Sequence, residues 1–245
     1  MLPRFLLPDL DAQRPDAVLP PEEAHHLSRV LRVKAGAEIA VFDGRGREFR
    51  ARVASIDRDG VTVRLLDALA PVPAPAVPLT LVQAVLKGDS MDDVVRDCTM
   101  VGVESIQPVV SERTVVKTSL LTKAADRWRR IALAATKQCG RSQLPQIHDV
   151  MSFADWTRRG DRSHAFILLE PAAAGQETVK IRHLAARPTP PHASVVVGPE
   201  GGWTPDEVGL AMVVGCTPLS LGRLILRADA VPLAATAALL AIWDV

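Results

Sequence analysis

The spacing of apolar residues changes part-way along the chain. In residues 37–67, short runs of alternating apolar and polar residues are separated by Gly44-Arg45-Gly46 and by Asp59-Gly60. Alternation is typical of half-buried β-strands. An Asp-Gly pair between two such runs is a strong hairpin signal, because both central positions of the favoured turn need positive φ. The pattern predicts a small β-barrel domain, with a short helix near residues 21–33.

A proline-rich stretch follows this region. Prolines stand at positions 71, 73, 75 and 78, a spacing that favours extended polyproline-like chain over helix or sheet. We therefore predict two domains, residues 1–70 and residues 79–245, joined by a linker at residues 71–78.

Beyond the prolines, strand-like and helical patterns alternate. The strand-like runs are LTLVQAVL, IQPVV, HAFILLE, ASVVVGP and TPLSLG. Asp89 is expected to cap a helix whose apolar residues recur at helical spacing as far as Val101. A second helix is expected from about Lys123 to Cys139, where Gly140 stops it. Alternation of this kind predicts an α/β domain with a largely parallel sheet.

Composition and charge argue against several classes of protein and of binding site. The 245-residue chain is 48% apolar, and its 29 Lys and Arg against 28 Asp and Glu give a net charge of +1. Any nucleic-acid binding must therefore come from local clusters. Three scattered cysteines without a CxxC pair argue against disulfides and a zinc ribbon, and favour a reducing cytoplasm. No metal site is expected, because the adjacent His25 and His26 cannot easily face one ion from a helix.

Neither end of the chain predicts a targeting or membrane segment. Pro3 and Pro8 interrupt the N-terminus before a signal-peptide core can form. The longest apolar stretch, residues 231–243, is shorter than the roughly 20 residues of a membrane span. We interpret it as a buried helix and expect no membrane partner.

The most informative junction is VVVGPEGGWTPDEV, residues 195–208. Thr204 and Glu207 fit a reciprocal capping box, with Pro205 at the first helical position, so a helix begins here. Residues 198–203 then cross from the carboxyl end of a buried strand to that helix. This is the place where open α/β sheets bind ligands.

Phosphate is a poor ligand for this loop. No Lys-Ser/Thr pair follows the glycines, and an ionised Glu200 about 4 Å from a phosphate costs on the order of 4 kcal/mol at an effective dielectric constant of about 20. A cationic or neutral ligand held by backbone groups suits the residues better. A tight β–α turn whose Glu faces water remains the alternative.

Two further strand ends carry candidate residues. In PLSLGRLILRADAVPLAATAALLAIW, Gly222 follows a strand and Asp229 is placed to cap the last helix, with Arg223 and Arg227 between them. In FILLEPAAAG, Glu170 ends another apolar run. Taken alone, each junction is explained as well or better by a structural loop with solvated charges.

Taken together, the three junctions resemble a known family. VVVGPEGGWTPDEV followed by LSLGRLILRADAVPLAATAAL is similar to the knotted-loop signature of the SPOUT methyltransferases. Within them it resembles the family that methylates N3 of a uridine in bacterial 16S ribosomal RNA. HHLSRVLRVKAGAEIAVFDGRG, VGVESIQPVVSERTVVK and RWRRIALAATKQCGRSQLPQI match as well, so the resemblance runs almost from end to end.

The family resemblance implies properties that the pattern of apolar and polar residues does not predict. It implies S-adenosylmethionine as cofactor, a deep trefoil knot, a homodimer, and a PUA-like first domain that binds 16S rRNA of the small ribosomal subunit. Pattern alone predicts an ordinary open sheet, since true knots are rare. By matching position, the cofactor lies against three loops, at Leu168, Leu169, Glu170, Val197, Gly198, Pro199, Glu200, Gly201, Gly202, Leu219, Ser220, Leu221, Gly222, Ile225, Leu226, Arg227 and Ala230.

The chain departs from the family's pattern at two positions. The usual LGxRILR has an Arg directly before the Ile, whereas here Arg223 is followed by Leu224, and the usual Glu two residues after the final Arg is Asp229. Because this loop differs from the family pattern, a non-catalytic RNA-binding protein or ribosome assembly factor is one alternative. Another SPOUT enzyme, acting on a ribose 2′-OH or on a tRNA base, is the second alternative.

Local clusters of positive charge predict RNA contacts. Residues 29–52 hold seven Lys or Arg against three acids, and residues 111–141 hold eight against two. Such excesses suit a phosphate backbone, although a solvated face explains any single one of these residues. With 4% aromatic residues and no Tyr, phosphate and shape contacts are favoured over base stacking. The predicted RNA-binding residues are Arg4, His25, His26, Arg29, Arg32, Lys34, Arg113, Lys117 and Arg141.

Methyl transfer to uracil N3 requires that N3 is aligned with the methyl carbon and loses its proton. We predict that Arg141 and Arg227 bind RNA phosphate or stabilise the developing uracil anion. Glu200 and Asp229 are predicted to act as the base or as loop anchors.

Overall fold

The computed structural model describes residues 2–116, 121–159, 162, 164–170 and 178–243. The chain forms two compact units, residues 1–73 with 136–144, and residues 74–135 with 145–245. Each unit has its own hydrophobic core. Within the described ranges, no helix combines the length and the apolar character that crossing a bilayer requires.

The first unit contains a five-stranded sheet in the order β1-β3-β4-β5-β2. β1 pairs with β3 in parallel, and the other neighbours are antiparallel. Successive side chains of β4 point to opposite faces of the sheet, so Ala51 and Val53 are buried and Arg52 between them is exposed. The strands are β1 Arg4–Leu6, β2 Asp16–Val18, β3 Glu38–Phe42, β4 Glu48–Ile56 and β5 Val61–Leu69.

The local predictions for this unit are confirmed in outline. β4 and β5 form the expected hairpin around Asp59-Gly60, and the Asp57 amide donates to the Gly60 carbonyl at 3.0 Å. The short helix has two parts, α1 Pro21–His25 and a π-helical turn at His26–Val30. The chain leaves this turn through Arg32, whose φ is 53°.

Residues 136–144 belong to the first unit and supply partners to its buried charges. The guanidinium of Arg4 binds Glu48 at 2.8 Å and also donates to the carbonyls of Thr136 and Arg141 at 2.9 and 3.0 Å. The Lys137 ammonium binds both carboxylate oxygens of Glu23, at 2.5 and 2.6 Å. A buried charge has to be paired to avoid a large desolvation cost. These bonds therefore hold residues 136–144 against β1 and the helix Pro21–His25.

The second unit is built on an eight-stranded sheet with the path β11-β13-β10-β12-β6-β7-β8, and β9 also pairs with β7. Every strand pair is parallel, which confirms the predicted α/β class. The strands are β6 Leu79–Ala84, β7 Ser105–Val110, β8 Gln146–Ile147, β9 Met151–Ser152, β10 Ala165–Leu168, β11 Val179–Lys180, β12 Ala193–Val197 and β13 Thr217–Ser220.

Helices cover both faces of this sheet. Leu81 and Val195 pack in a cluster with residues of α2 and α6, whereas Val82 and Val196 pack in a second cluster with residues of α4 and α5. Because both faces are buried, the central strands read as continuous apolar runs. The helices are α2 Ser90–Val101, α3 Leu121–Cys139, α4 Phe153–Arg158, α5 Pro205–Val213 and α6 Ala230–Trp243, with a 3-10 helix at Ile181–Ala186.

Most of the predicted helix ends are confirmed. α3 ends before Gly140, α6 occupies the apolar stretch near the C-terminus, and Thr204 caps α5 in a full capping box. Asp89 occupies the N-cap position of α2 as predicted, but its side chain makes no capping hydrogen bond. The Arg127 guanidinium binds that carboxylate at 3.0 Å instead.

Candidate functional site

A cavity of about 500 Å³ lies at the carboxyl ends of the central strands. Since β13, β10 and β12 are neighbours in the sheet, the loops that follow them meet at one edge. All three predicted loops line this cavity, through Leu168, Leu169, Glu170, Val197, Gly198, Pro199, Glu200, Gly201, Gly202, Ser220, Leu221, Gly222, Ile225, Leu226 and Arg227. Leu219 is buried in the core and Ala230 begins α6, and neither lines the cavity.

The loop after β12 turns sharply across the cavity wall. The Gly202 amide donates to the Pro199 carbonyl at 2.9 Å, and Gly202 has a φ of 68°, a backbone conformation that residues with a side chain strongly disfavour. Glycine at position 202 therefore has a local conformational reason, and the loop exposes backbone groups at the cavity surface.

Glu200 joins this loop to the neighbouring strand end. Its Oε1 accepts a hydrogen bond of 2.9 Å from the Lys87 amide, just beyond β6. Its side chain is otherwise exposed. One carboxylate oxygen thus links the loop after β12 to the segment that follows β6.

The loop after β7 contacts the same region through two bonds. The Arg113 Nη1 donates to the Gly201 carbonyl at 2.8 Å. The Glu112 amide donates at 2.9 Å to Glu207, whose carboxylate also accepts from the Thr204 amide in the cap of α5. Both bonds connect the end of β7 to the segment after β12.

The loop after β13 carries the charged pair of the site. The Arg227 guanidinium donates to both carboxylate oxygens of Asp229, at 3.2 and 2.8 Å, while the Arg227 side chain is 82% exposed. An exposed pair of this kind adds little stability, but it restricts the direction of the guanidinium. Leu224 and Ile225 of the same loop are 82% and 66% exposed.

Sequence reasoning missed part of the cavity wall. Arg113 was predicted only as an RNA contact, yet it lines the cavity. The same rule that located the three loops, ligand binding at the carboxyl ends of parallel strands, also points to the ends of β6 and β7 once the strand order is known. The residues not predicted for this wall are Leu86, Ser90, Arg113, Trp203, Val208, Leu224, Ala228 and Val231.

The predicted RNA-binding residues of the first unit fall into two groups. His25 at the end of α1 is exposed, as are Arg29, Arg32 and Lys34 on or after the π-helical turn, and His26 is half-buried. The side chain of Arg4 is only 6% exposed and is committed to the bonds described above. The geometry therefore favours a structural role for Arg4 over RNA contact.

Ion pairs reduce the positive charge of the sheet. Arg47, Arg50, Arg52 and Arg64 each pair with a carboxylate. Arg29, Arg32 and Lys34 are exposed and are not among the residues paired in this way.

Two predicted RNA-binding residues remain. Arg141 also lies in the first unit, and burial lowers the pKa of its guanidinium from the ordinary value. Lys117 lies outside the described residues. Across the ranges given above, no three His, Cys, Asp or Glu side chains come together as metal ligands.

Known families match both units. Residues 73–240 match a family described as RNA methyltransferase domain, and residues 19–66 match one described as RNA methyltransferase PUA domain. The chain belongs to the RNA methyltransferase family. The resemblance drawn from the three junctions is confirmed, as is the PUA-like nature of the β-sheet unit.

Relatives match along most of the chain. The ribosomal RNA small subunit methyltransferase E of Synechocystis is 32% identical, and the match covers 91% of this chain and 72% of that protein. The protein of the same name from Mycobacterium tuberculosis is 30% identical, covering 97% and 91%.

Solved structures agree with the fold. The ribosomal RNA small subunit methyltransferase E of Neisseria gonorrhoeae, bound to S-adenosyl methionine, is 30% identical with a TM-score of 0.89, covering 99% of this chain and 98% of that one. A putative methyltransferase of Legionella pneumophila in complex with the same cofactor is 28% identical with a TM-score of 0.88, covering 98% of each chain.

Proposed function

We propose that this protein transfers the methyl group of S-adenosylmethionine to N3 of a uridine in 16S ribosomal RNA. The observation that carries the proposal is the meeting of three strand-end loops around one cavity, in a chain whose family and relatives are RNA methyltransferases. A ribosomal RNA substrate implies action in the cytoplasm, on the assembled or assembling small subunit.

The cavity fits the cofactor in size and in chemistry. Its volume of about 500 Å³ falls within the range of about 300–1,000 Å³ for small-molecule sites. Leu168, Val197, Leu221 and Ile225 supply apolar surface, and the loop 198–202 supplies backbone groups. When bound, S-adenosylmethionine supplies a methyl group on a positively charged sulfur.

The charges of the wall suit that ligand better than a phosphate. Three carboxylates, Glu170, Glu200 and Asp229, face two guanidinium groups, Arg113 and Arg227. An excess of negative charge attracts a sulfonium and repels a phosphate group. We propose that the predicted cofactor residues that line this wall hold the methyl donor.

The remaining charged groups are proposed to act on the RNA. We propose that Arg227, oriented by its bonds to Asp229, stabilises negative charge on the uracil ring as N3 loses its proton. Arg141, Lys117 and the exposed basic residues of the turn 25–34 are proposed to bind phosphates, which position the target base. Positioning of this kind contributes several kcal/mol to the rate.

We also propose a homodimer. Leu224 and Ile225 expose apolar side chains on the loop after β13, and Val213 at the end of α5 is 85% exposed. Covering such side chains is favourable, and a second copy of the chain is the occupant that the family resemblance implies. The predicted trefoil knot, and the division into domains at residues 1–70 and 79–245, are retained as part of this proposal.

One experiment tests the proposed reaction. The protein is incubated with labelled S-adenosylmethionine and with free 16S rRNA, assembled small subunits or tRNA, and the methyl group is mapped by mass spectrometry. We expect 3-methyluridine in 16S rRNA. A 2′-O-methyl or tRNA product would replace this reaction with another, and cofactor binding without transfer would favour an assembly factor.

The roles of the arginines are tested separately. Arg227→Ala and Arg141→Ala are each expected to lower the transfer rate at limiting RNA. Unchanged rates would show that the assignment of these two side chains is wrong.

A further inference from the structure

The loop after β7 supplies a side chain that touches the proposed cofactor loop directly. Arg113 lines the cavity, and its Nη1 donates to the Gly201 carbonyl at 2.8 Å. The stem of the same side chain lies against Gly201, where an added Cβ would stand 3.2 Å from the Arg113 Cβ and 3.4 Å from its Cδ. The guanidinium and the stem thus both contact one residue of the loop 198–202.

The backbone that carries Arg113 is itself held in place. The Ser111 amide donates to the Thr114 hydroxyl at 3.0 Å, and the Thr114 amide donates to the Ser111 carbonyl at 3.1 Å. The Glu112 amide is bound to Glu207 at 2.9 Å, in the cap of α5. Arg113 therefore projects from a turn that is fixed on both sides, which lowers the entropy lost when its side chain is ordered.

The partner of this guanidinium distinguishes it from the other cavity arginine. Arg227 is paired with the carboxylate of Asp229. Among the described residues, Arg113 forms no ion pair with a carboxylate, and its guanidinium donates to the Gly201 carbonyl instead. A charged donor on a carbonyl makes a stronger hydrogen bond than a neutral one, so this bond is suited to holding a loop in one conformation.

We propose that Arg113 is a positioning residue of the methyl-donor site: it holds the Gly201 carbonyl and thereby keeps the loop 198–202 in the conformation that receives S-adenosylmethionine. This inference rests on the proposed function, because it names the cofactor of the same cavity. It differs from the prediction for Arg113 drawn from sequence, in which the side chain only contacts RNA.

The test compares cofactor affinity in variants of the full-length protein. Isothermal titration with S-adenosylmethionine is run on the wild type, Arg113→Ala, Arg113→Lys and Arg96→Ala. Arg96 is a matched control, since it is an arginine of α2 paired with Asp93 and Asp97 of its own helix. Thermal unfolding of each variant shows whether its fold is intact.

We expect Arg113→Ala to raise the dissociation constant about 5- to 20-fold. This is less than the usual effect of losing a hydrogen bond with a charged donor, because Arg113 is exposed and water competes for both partners. Arg113→Lys retains a donor and is expected to recover most of the affinity, and Arg96→Ala is expected to match the wild type. In steady-state assays, the KM for S-adenosylmethionine should rise more than kcat falls. If Arg113→Ala does not fold, Gly201→Ala displaces the same contact from the other side and should weaken binding similarly.

Wild-type affinity for S-adenosylmethionine in Arg113→Ala would overturn the inference. Weaker retention of 16S rRNA on a filter by the same variant would then show that Arg113 is an RNA contact alone. If the wild type itself fails to bind S-adenosylmethionine, the proposed function fails first, so the two failures are distinguishable.

Discussion

Replacing Glu200 tests whether its carboxylate anchors the cofactor loop. Glu200→Ala removes the acceptor for the Lys87 amide, a bond of 2.9 Å that joins the loop after β12 to the end of β6. Hydrogen bonds to charged groups contribute about 1.5–3 kcal/mol. Glu200 is exposed, so we take a lower value of about 1 kcal/mol because water competes for both partners.

This magnitude predicts a measurable change in affinity. Since 1.4 kcal/mol corresponds to a factor of ten, about 1 kcal/mol raises the dissociation constant for S-adenosylmethionine about fivefold. Isothermal titration measures that constant directly. Glu200→Gln is the matched control, because its amide oxygen still accepts from Lys87, and its dissociation constant should stay within about twofold of the wild type.

One outcome would refute the reasoning. Wild-type affinity in Glu200→Ala would show that the bond to Lys87 does not shape the site. Normal cofactor binding in Glu200→Gln is the expected result, and if that variant also transferred methyl groups about a hundredfold more slowly, Glu200 would act as the general base in addition to anchoring the loop.

Three further predictions concern stability. Thr204→Ala removes the cap of α5 and should lower the free energy of unfolding by about 1 kcal/mol in urea titrations. An unchanged midpoint would contradict the role of the capping box. Lys137→Met leaves the carboxylate of Glu23, whose side chain is 7% exposed, buried without its ammonium partner. It should cost about 3 kcal/mol, most of it recovered by adding Glu23→Gln. Burial raises the pKa of the Cys98 thiol from 9.0 to about 12. The stability from this neutral thiol is present below pH 9.0 and is lost as pH rises toward 12, because the unfolded thiol ionises first. Cys98→Ala should flatten that decline, whereas Cys139→Ala should not.

Much of the fold is predictable from local pattern. The hairpin at Asp59-Gly60, the cap at Thr204 and the apolar last helix depend on residues close together in sequence, and the structure confirms each of them. The three junctions were located because a buried strand followed by glycine or an acidic residue marks a strand end, where α/β sheets bind ligands. Only the family resemblance identified them as predicted cofactor loops.

What pattern could not predict depends on contacts distant in sequence. Arg4 has the charge of an RNA contact, and only the fold shows that Glu48 and the carbonyls of residues 136–144 occupy its donors. Asp89 has a side chain that often caps helices, but its carboxylate forms an ion pair with Arg127 instead. Arg113 appears solvated in sequence because Gly201, its acceptor, comes much later in the chain.

The bond between Lys137 and Glu23 bears on how this chain can be divided or rearranged. Lys137 is encoded within the sequence of the methyltransferase domain, yet it compensates a carboxylate buried in the PUA-like unit. A fragment that ends at the proline-rich stretch would carry Glu23 without its ammonium partner, and Arg4 would keep Glu48 but lose the carbonyls of Thr136 and Arg141. The PUA-like unit is thus not a transferable module, and fusing residues 1–73 to another protein would require Glu23 to be replaced by a neutral residue.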